Sequence, residues 1–166
     1  MNSLLRAKEV KPGIHWVGAV DWNLRNFHGY LTQRGTTYNA YLVKGEKLAL
    51  IDTVKEKFTD EMLERISSVV DPATIDYVVC NHVEMDHSGG LPKLMEVARH
   101  AKLVTCAAGE KGLRDHFRKD WAFQVVKSGD TLDLGWGREL SFVTTPMVHW
   151  PDSMATWLAA EKLLFS

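Results

Sequence analysis

A short segment near the middle of the sequence concentrates residue types that bind metal ions. Two imidazoles and two carboxylates fall within six consecutive residues, namely His82, Glu84, Asp86 and His87. They directly follow Ile75–Cys80, an apolar run that predicts a buried strand. The paired glycines Gly89 and Gly90, followed by apolar residues at helical spacing, predict a tight loop that opens into a helix. Because a loop at a strand end is a rigid place to hold ligands, we expect a metal site here.

The spacing of this cluster favours two metal ions over one. If the chain stays extended after the strand, a period of two directs His82, Glu84 and Asp86 to one face, and His87 turns the corner. Alternate residues of a strand lie about 6.5 to 7 Å apart, so four groups reach a single ion with difficulty. Two ions about 3.5 to 4 Å apart suit the spacing better. Nitrogen and carboxylate ligands without thiolate favour iron or manganese and leave zinc open.

The cluster also carries a family resemblance. The motif His82-x-Glu84-x-Asp86-His87 resembles the binuclear metal loop of the metallo-β-lactamase superfamily, whose zinc hydrolases usually carry His at the position of Glu84. The Glu variant is similar to the flavodiiron proteins, the family of rubredoxin:oxygen oxidoreductase and flavorubredoxin. The resemblance runs from about Ile14 to Ser166. The other segments that carry it are Val17–Trp22, Phe27–Tyr30, Gly35–Leu42 and Met147–Met154.

Composition and periodicity indicate one α/β (α+β) unit. With 45% hydrophobic and 25% charged residues, the 166 residues fit one ordinary core. Helical patterns follow Thr59, a predicted N-cap, as far as Val70, and run again from Ala108 to His116. Mixed strands with interspersed helices imply a layered sandwich, and the resemblance identifies it as the αββα metallo-β-lactamase-like fold. Strands are predicted at 14–20, 36–43, 48–52, 75–80, 103–106, 123–126, 131–134, 139–144, 155–159 and 162–165.

The resemblance implies that residues 1–166 are the N-terminal part of a diiron domain, incomplete at its C-terminus. In this family the chain continues into an Asp that bridges the two metals, then another His ligand, then a flavodoxin-like domain that binds FMN. The buried-strand pattern at Leu163–Phe165 stops without a polar tail, which agrees with this expectation. By itself the stretch is expected to bind iron weakly and to be inactive.

The resemblance also assigns roles within the cluster. It places His149 on the same metal as His82 and Glu84, and Asp86 and His87 on the second metal. In this family the side chain at the position of His87 can swing away, so its coordination stays open.

Two further residues have two interpretations each. From the residues alone, His28 is a loop histidine with a satisfied hydrogen bond, whereas the resemblance implies a pocket position near the metals, where it would donate a hydrogen bond or a proton. Asp52 either orients a ligand imidazole or caps the loop after its strand. Cys80 and Cys106 lie in apolar strands and are expected to be buried thiols and not a disulfide.

The function implied by the resemblance is an oxidoreductase that reduces O2 to water, NO to N2O, or both, at a non-haem site of two Fe. A cytoplasmic location is expected because the sequence shows no apolar run long enough to span a bilayer and no signal-peptide pattern. Electrons would arrive through FMN from rubredoxin or a similar donor, in a head-to-tail homodimer or a dimer of dimers. The alternative is a binuclear zinc hydrolase of the same superfamily, against which Glu84 argues. A net charge of −1 gives no argument for nucleic acid or an acidic membrane as partner.

Overall fold

The computed structural model describes residues 5–166, which form two main β-sheets and a layer of helices. The strands are β1 Lys8–Lys11, β2 Ile14–Trp16, β3 Ala19–Asp21, β4 Asn26–Phe27, β5 Tyr30–Leu31, β6 Thr36–Tyr38, β7 Tyr41–Lys44, β8 Leu48–Ile51, β9 Tyr77–Val79, β10 Lys102–Cys106, β11 Phe123–Val126, β12 Thr131–Asp133, β13 Glu139–Thr144, β14 Met154–Leu158 and β15 Leu163–Phe165. The α-helices are α1 Thr59–Ser67, α2 Met85–Ser88, α3 Leu91–Val97 and α4 Ala107–Phe117.

The larger sheet has seven strands in the order β1-β2-β7-β8-β9-β10-β11. Its first four strands pair antiparallel, and β8 to β11 pair parallel. The smaller sheet is antiparallel, in the order β12-β13-β14-β15, and two short ribbons join β3 to β6 and β4 to β5. The strands β7 and β8 form an antiparallel hairpin, and the predicted α/β class is confirmed.

Alternation along the strands of the large sheet separates two apolar layers. Leu50 and Val78 face the helices, where they pack with residues such as Met62 of α1. Their neighbours in sequence face the small sheet, so Ile51 packs in a second layer with Phe142 of β13. A strand covered on both faces must be apolar throughout, which explains the continuous apolar runs that were predicted as buried strands.

Two predicted strands are each interrupted. The segment predicted at 14–20 divides into β2 and β3, and the segment predicted at 36–43 divides into β6 and β7. At the break a Cβ on Gly18 would lie 2.0 Å from the carbonyl oxygen of Tyr38. Only glycine therefore allows these two backbone segments to pass this closely. The partners therefore leave the large sheet together and pair with each other as a separate ribbon.

Three local predictions were wrong. Thr59 is not the N-cap of α1 but its first residue, because its hydroxyl donates to the carbonyl of Glu56 in the preceding 3-10 turn. That helix also ends at Ser67, before Val70. The chain after β9 is not extended as far as Asp86: extension ends at Glu84, and α2 begins at Met85.

The parallel strands bring three polar segments to one edge of the large sheet. Asp52 follows β8, Asn81 lies two residues after β9, and Cys106 ends β10. The loop between β13 and β14 approaches the same edge, where the amide of Met154 donates to the carbonyl of Asn81. Sites in parallel sheets commonly form at the carboxyl ends of strands, and the predicted metal cluster lies here.

Candidate metal centre

Three side chains from two distant segments converge at this edge. The ligand atoms of His82, Glu84 and His149, here called the His82 group, all lie within 4.8 Å of one another. Glu84 is the shared member, because its Oε2 lies 3.2 Å from His82 Nε2 and 3.5 Å from His149 Nε2. His149 arrives from the loop between β13 and β14. An imidazole pair around one carboxylate oxygen is a donor set suited to a divalent ion.

The His82 ring is fixed by a buried carboxylate. Asp152 Oδ2 accepts hydrogen bonds from His82 Nδ1 and from the backbone N–H of Val83, both at 2.8 Å. The other ring nitrogen, Nε2, lies 3.2 Å from Glu84 Oε2. With Nδ1 donating to Asp152, Nε2 is the nitrogen that would bind an ion on that side. Sequence reasoning did not consider Asp152; it proposed Asp52 as the partner of a ligand imidazole without saying which, and Asp52 lies beside His87.

Asp86 and His87, here called the α2 pair, lie beside the His82 group on a single helical turn. The rings of His82 and His87 are 5.4 Å apart between centroids. The backbone of His87 is anchored, because its carbonyl accepts from both the N–H and the hydroxyl of Thr53. A helical turn, and not an extended strand, therefore presents these two ligand candidates.

Within residues 5–166, Asp86 Oδ1 and His87 Nδ1 are buried polar atoms without a hydrogen-bond partner. His87 Nδ1 lies 3.3 Å from Asp52 Oδ2, an ion-pair distance whose geometry falls short of a hydrogen bond. Burial lowers the pKa of His87, but the carboxylates of Asp52, Asp86 and Glu84 outweigh burial and raise that pKa to about 9. This imidazole therefore sits in a strongly negative field, which is a field that also attracts a cation.

Asp52 is held by a polar network at the base of the site. Its two carboxylate oxygens accept from the backbone N–H and the side-chain amide of Asn81, at 2.7 and 3.1 Å. The amide oxygen of Asn81 accepts from the hydroxyl of Thr156 at 2.7 Å. Asp52 itself has a left-handed φ of 56°, which is uncommon for a residue other than glycine. Such a backbone persists only where the surroundings enforce it.

His28 is brought into the site by the β4–β5 hairpin. Its Nε2 lies 3.0 Å from Glu84 Oε1, the carboxylate oxygen opposite the one that faces the two imidazoles. His28 occupies a turn position with a φ of 49°, and its ring packs against Phe27. The structure therefore favours the pocket position over a loop histidine remote from the cluster, and it adds Glu84 as the specific neighbour.

Apolar side chains border the centre. The indole of Trp150 stands edge-on to the His82 ring, with centroids 5.1 Å apart. A cavity of about 360 Å³ lies next to His82 and His149, and apolar residues including Val148 and Met154 line it. Low local polarity strengthens electrostatic interactions between buried charges. Small neutral molecules have room beside the candidate ligands.

The residues present fit a metal-loaded centre. The donor set of imidazoles and carboxylates is one that iron, manganese and zinc all accept. The orphaned Asp86 Oδ1 gives the stronger argument, since a buried carboxylate oxygen without a partner is costly and a cation would satisfy it. The Asp86 carboxylate therefore offers a cation an unpartnered oxygen beside the three converging ligand atoms of the His82 group.

The two cysteines are not candidate ligands. Cys80 and Cys106 are both buried and free. Burial raises the pKa of the Cys80 thiol well above its ordinary value, so this side chain is a neutral thiol and not a thiolate. Its hydrogen bond goes to a backbone carbonyl.

Layered sheets with a His and carboxylate cluster at the strand ends define a metallo-β-lactamase-like domain. The family model described as ODP family beta lactamase matches residues 36–166. The chain belongs to this family, and its recognition as the metallo-β-lactamase-like part of a flavodiiron protein is confirmed.

Several relatives are similar over nearly the whole chain. The rubredoxin-oxygen oxidoreductase of Megalodesulfovibrio gigas is 52% identical over 164 residues, which cover 98% of this chain and 40% of that protein. The anaerobic nitric oxide reductase flavorubredoxin of Salmonella arizonae is 48% identical, covering 95% of this chain and 33% of that protein. The flavodiiron protein from Giardia intestinalis superposes with a TM-score of 0.94 at 36% identity, covering 100% of this chain and 41% of that chain.

The chain thus spans about two fifths or less of the length of these relatives. Across residues 5–166, every helix is too short or too polar to cross a bilayer.

Proposed function

We propose that this chain is the metal-binding part of a flavodiiron oxidoreductase that reduces O2 to water, NO to N2O, or both. The observation that carries the proposal is the convergence of His82, Glu84 and His149 beside the α2 pair. Glu84 at the centre of the His82 group favours iron over the zinc of the related hydrolases, because a second carboxylate stabilises oxidised iron. The relatives named as an oxygen oxidoreductase and a nitric oxide reductase support the same reaction class.

Under this proposal the His82 group holds one iron and the α2 pair holds the other. Two adjacent irons would supply the electrons and the Lewis acidity that reduction of a diatomic molecule requires. Asp152 keeps the proton of His82 on Nδ1 and so directs Nε2 to the ion. His87 Nδ1 lies next to Asp52, and Fe²⁺ titration of His87→Ala measures the contribution of this imidazole to the second iron.

The remaining residues of the site have roles in positioning and proton supply. Glu84 presents Oε2 to both imidazoles and Oε1 to His28, so it couples His28 to the His82 group. His28 is positioned to hold a proton at Nε2 at the border of the site. Trp150 and Val148 give one side of the site an apolar border, which favours a small neutral substrate over a charged one.

The proposal extends to the partners of the reaction. FMN, bound by a flavodoxin-like domain of the same protein, would pass electrons to the irons from rubredoxin or a similar donor. A head-to-tail homodimer would place the FMN of one subunit against the diiron site of the other. The names of the relatives support rubredoxin as donor, and a cytoplasmic location agrees with such a donor.

The test is metal analysis of the intact protein, purified without oxygen, together with rubredoxin-driven consumption of O2 and NO. We expect two irons per chain and reduction of at least one of the two gases. Zinc in the site with hydrolysis of an ester, thioester or lactam, and no reductase activity, would overturn the proposal in favour of the hydrolase alternative. His149→Ala should abolish the reductase activity, whereas His100→Ala, an exposed histidine outside the site, should leave it unchanged.

A further inference from the structure

The two buried cysteines each donate a hydrogen bond to a backbone carbonyl of the metal centre. Cys80 Sγ lies 3.0 Å from the carbonyl oxygen of His82, and Cys106 Sγ lies 3.2 Å from that of Asp152. Both contacts are buried. Neither cysteine has a role in the proposed reaction, so these contacts need a separate account.

The two carbonyls belong to the two members of one hydrogen-bonded pair. His82 and Asp152 lie 70 positions apart in sequence and meet through the 2.8 Å bond between Nδ1 and Oδ2. Each member therefore has its backbone held by a thiol from the adjacent end of a parallel strand. Cys80 follows β9 and Cys106 ends β10, so the large sheet fixes both halves of the pair.

Buried backbone carbonyls need a donor, and these two lie outside the sheet ladders. Without a hydrogen-bond donor, each buried carbonyl would destabilise the fold as an unsatisfied acceptor. The thiol is a weak donor on a small apolar side chain, so it satisfies the carbonyl without adding a charge beside the metal ligands. Cys106 also accepts the N–H of Gly109 at 3.4 Å and so links the start of α4 to the same point.

We propose that Cys80 and Cys106 are positioning residues for the metal centre, acting through the His82–Asp152 pair. Together they fix the backbone of both residues, so that the imidazole Nε2 is directed at Glu84 and His149. This inference rests on the proposed metal site, but it does not depend on which metal is native or on which reaction follows. Loss of either thiol would allow the His82 imidazole to adopt other orientations, while the set of ligand side chains stays the same.

The experiment uses Co²⁺ as a spectroscopic probe of the metal-free intact protein. Its visible absorption reports ligand geometry, and titration gives the affinity. Cys80→Ala and Cys106→Ala should each weaken Co²⁺ binding about tenfold, as expected for loss of an outer-shell partner, and should alter the absorption bands. Cys80→Ser and Cys106→Ser retain a donor and should restore most of the affinity.

A matched control separates positioning from packing. Val79→Ala truncates a buried side chain next to Cys80, so it creates a comparable cavity without removing a hydrogen bond. We expect it to lower the melting temperature and to leave Co²⁺ affinity unchanged. If Val79→Ala weakens Co²⁺ binding as much as Cys80→Ala does, the thiols act only through packing and the proposal is overturned.

A double-mutant cycle tests the route through Asp152. If Cys106 acts by holding Asp152, then Cys106→Ala should add little to the loss caused by Asp152→Ala, because the two changes remove one unit. Additive losses would contradict the proposal. A readout without metal comes from the backbone amide of Val83, which donates to Asp152 in the wild type and should exchange its proton with solvent faster in Cys106→Ala.

The outcomes distinguish this inference from the proposed function. Cysteine variants with weakened, spectrally altered Co²⁺ binding in a protein that reduces neither O2 nor NO would keep the inference and reject the reductase. Wild-type Co²⁺ binding and unchanged exchange of the Val83 amide in all four cysteine variants, in a protein that does reduce these gases, would reject the inference and keep the reductase.

Discussion

The His82 group and the α2 pair differ in how completely protein contacts satisfy their side chains. His82 is held at Nδ1 by Asp152, and Glu84 contacts three imidazoles, those of His28, His82 and His149. In the α2 pair, Asp86 Oδ1 and His87 Nδ1 have no hydrogen-bond partner among the residues that the structure describes. The first group is therefore preorganised by the fold, whereas the second is incomplete without a cation. In the metal-free protein the His82 group should therefore stabilise the fold, whereas the α2 pair should destabilise it.

The largest expected effect follows from removal of the residue that joins the His82 group. Glu84→Ala should lower the affinity of this group for iron by more than the roughly 100-fold upper range for outer-shell partners, because a ligand itself is lost. Isothermal titration with Fe²⁺ under anaerobic conditions measures this affinity. Glu96→Ala, at an exposed position outside the site, is the control. Equal affinities for Glu84→Ala and the wild type would show that the His82 group is not a metal site. Glu84→His should retain metal binding but shift preference towards zinc.

Removal of His82 should destabilise the metal-free protein. His82→Ala leaves the buried Asp152 carboxylate with the Val83 N–H alone, and loss of a hydrogen bond to a charged group costs about 1.5 to 3 kcal/mol. Urea unfolding of the metal-free protein measures this free energy. An unchanged unfolding free energy would mean that the pair contributes nothing before metal binds, contrary to the preorganisation inferred for this group.

Removal of charge from the α2 pair should have the opposite effect and should stabilise the metal-free protein. Above the His87 pKa of about 9 that imidazole is neutral and no longer balances the charge of Asp86. There, Asp86→Asn should stabilise the metal-free protein by about 1 kcal/mol, at the lower end of the cost of an unsatisfied buried group. The same variant should bind the second iron more weakly. Urea unfolding with and without Fe²⁺ gives both quantities. A loss of stability in the metal-free state would remove the contrast between the two groups.

The smallest expected effect lies outside both groups, at the ion pair between Lys57 and Asp21. The hydrogen bond from Lys57 lowers the pKa of Asp21, and burial opposes this shift more weakly. The stabilisation is therefore fully present above the ordinary Asp pKa of about 3.9 and is lost as the pH falls through the lower pKa of the folded state. Asp21→Asn should cost about 1 kcal/mol at pH 7 and leave iron affinity unchanged.

The pH dependence distinguishes this ion pair from general acid unfolding. The difference in unfolding free energy between wild type and Asp21→Asn should shrink when the pH is lowered below about 4. Asp120→Asn, a substitution at an exposed carboxylate, should show no such trend. A constant difference across this range would contradict the assigned ion pair.

Local patterns in the sequence were sufficient to predict most of the strands and the ligand candidates. The strand at Glu139–Thr144 was predicted with its observed bounds, because a half-buried strand leaves a clear alternation. The turn at α2 was missed because a motif of alternate ligands reads as extended chain, and a four-residue helix has too few positions to show a 3.6-residue period. The close approach of two backbone segments at Gly18 likewise leaves no signal in the local sequence other than the glycine itself.

The partners of the ligands were harder to predict than the ligands. Asp152 meets His82 only because the loop between β13 and β14 crosses the end of β9, a contact that depends on the packing of the two sheets. Its position three residues after His149 was the available signal. Asn81 directly precedes His82, but its bonds to Asp52 and Thr156 require three separate strands to meet. Long-range contacts of this kind are set by topology.

The most direct test of the account is the position of iron in crystals of the intact, iron-loaded protein, located by anomalous scattering at the iron absorption edge. The account predicts two irons per chain, one bound by His82, Glu84 and His149 and the other by Asp86, with His87 beside it. A single ion, or iron at a place that none of these side chains reaches, would contradict it.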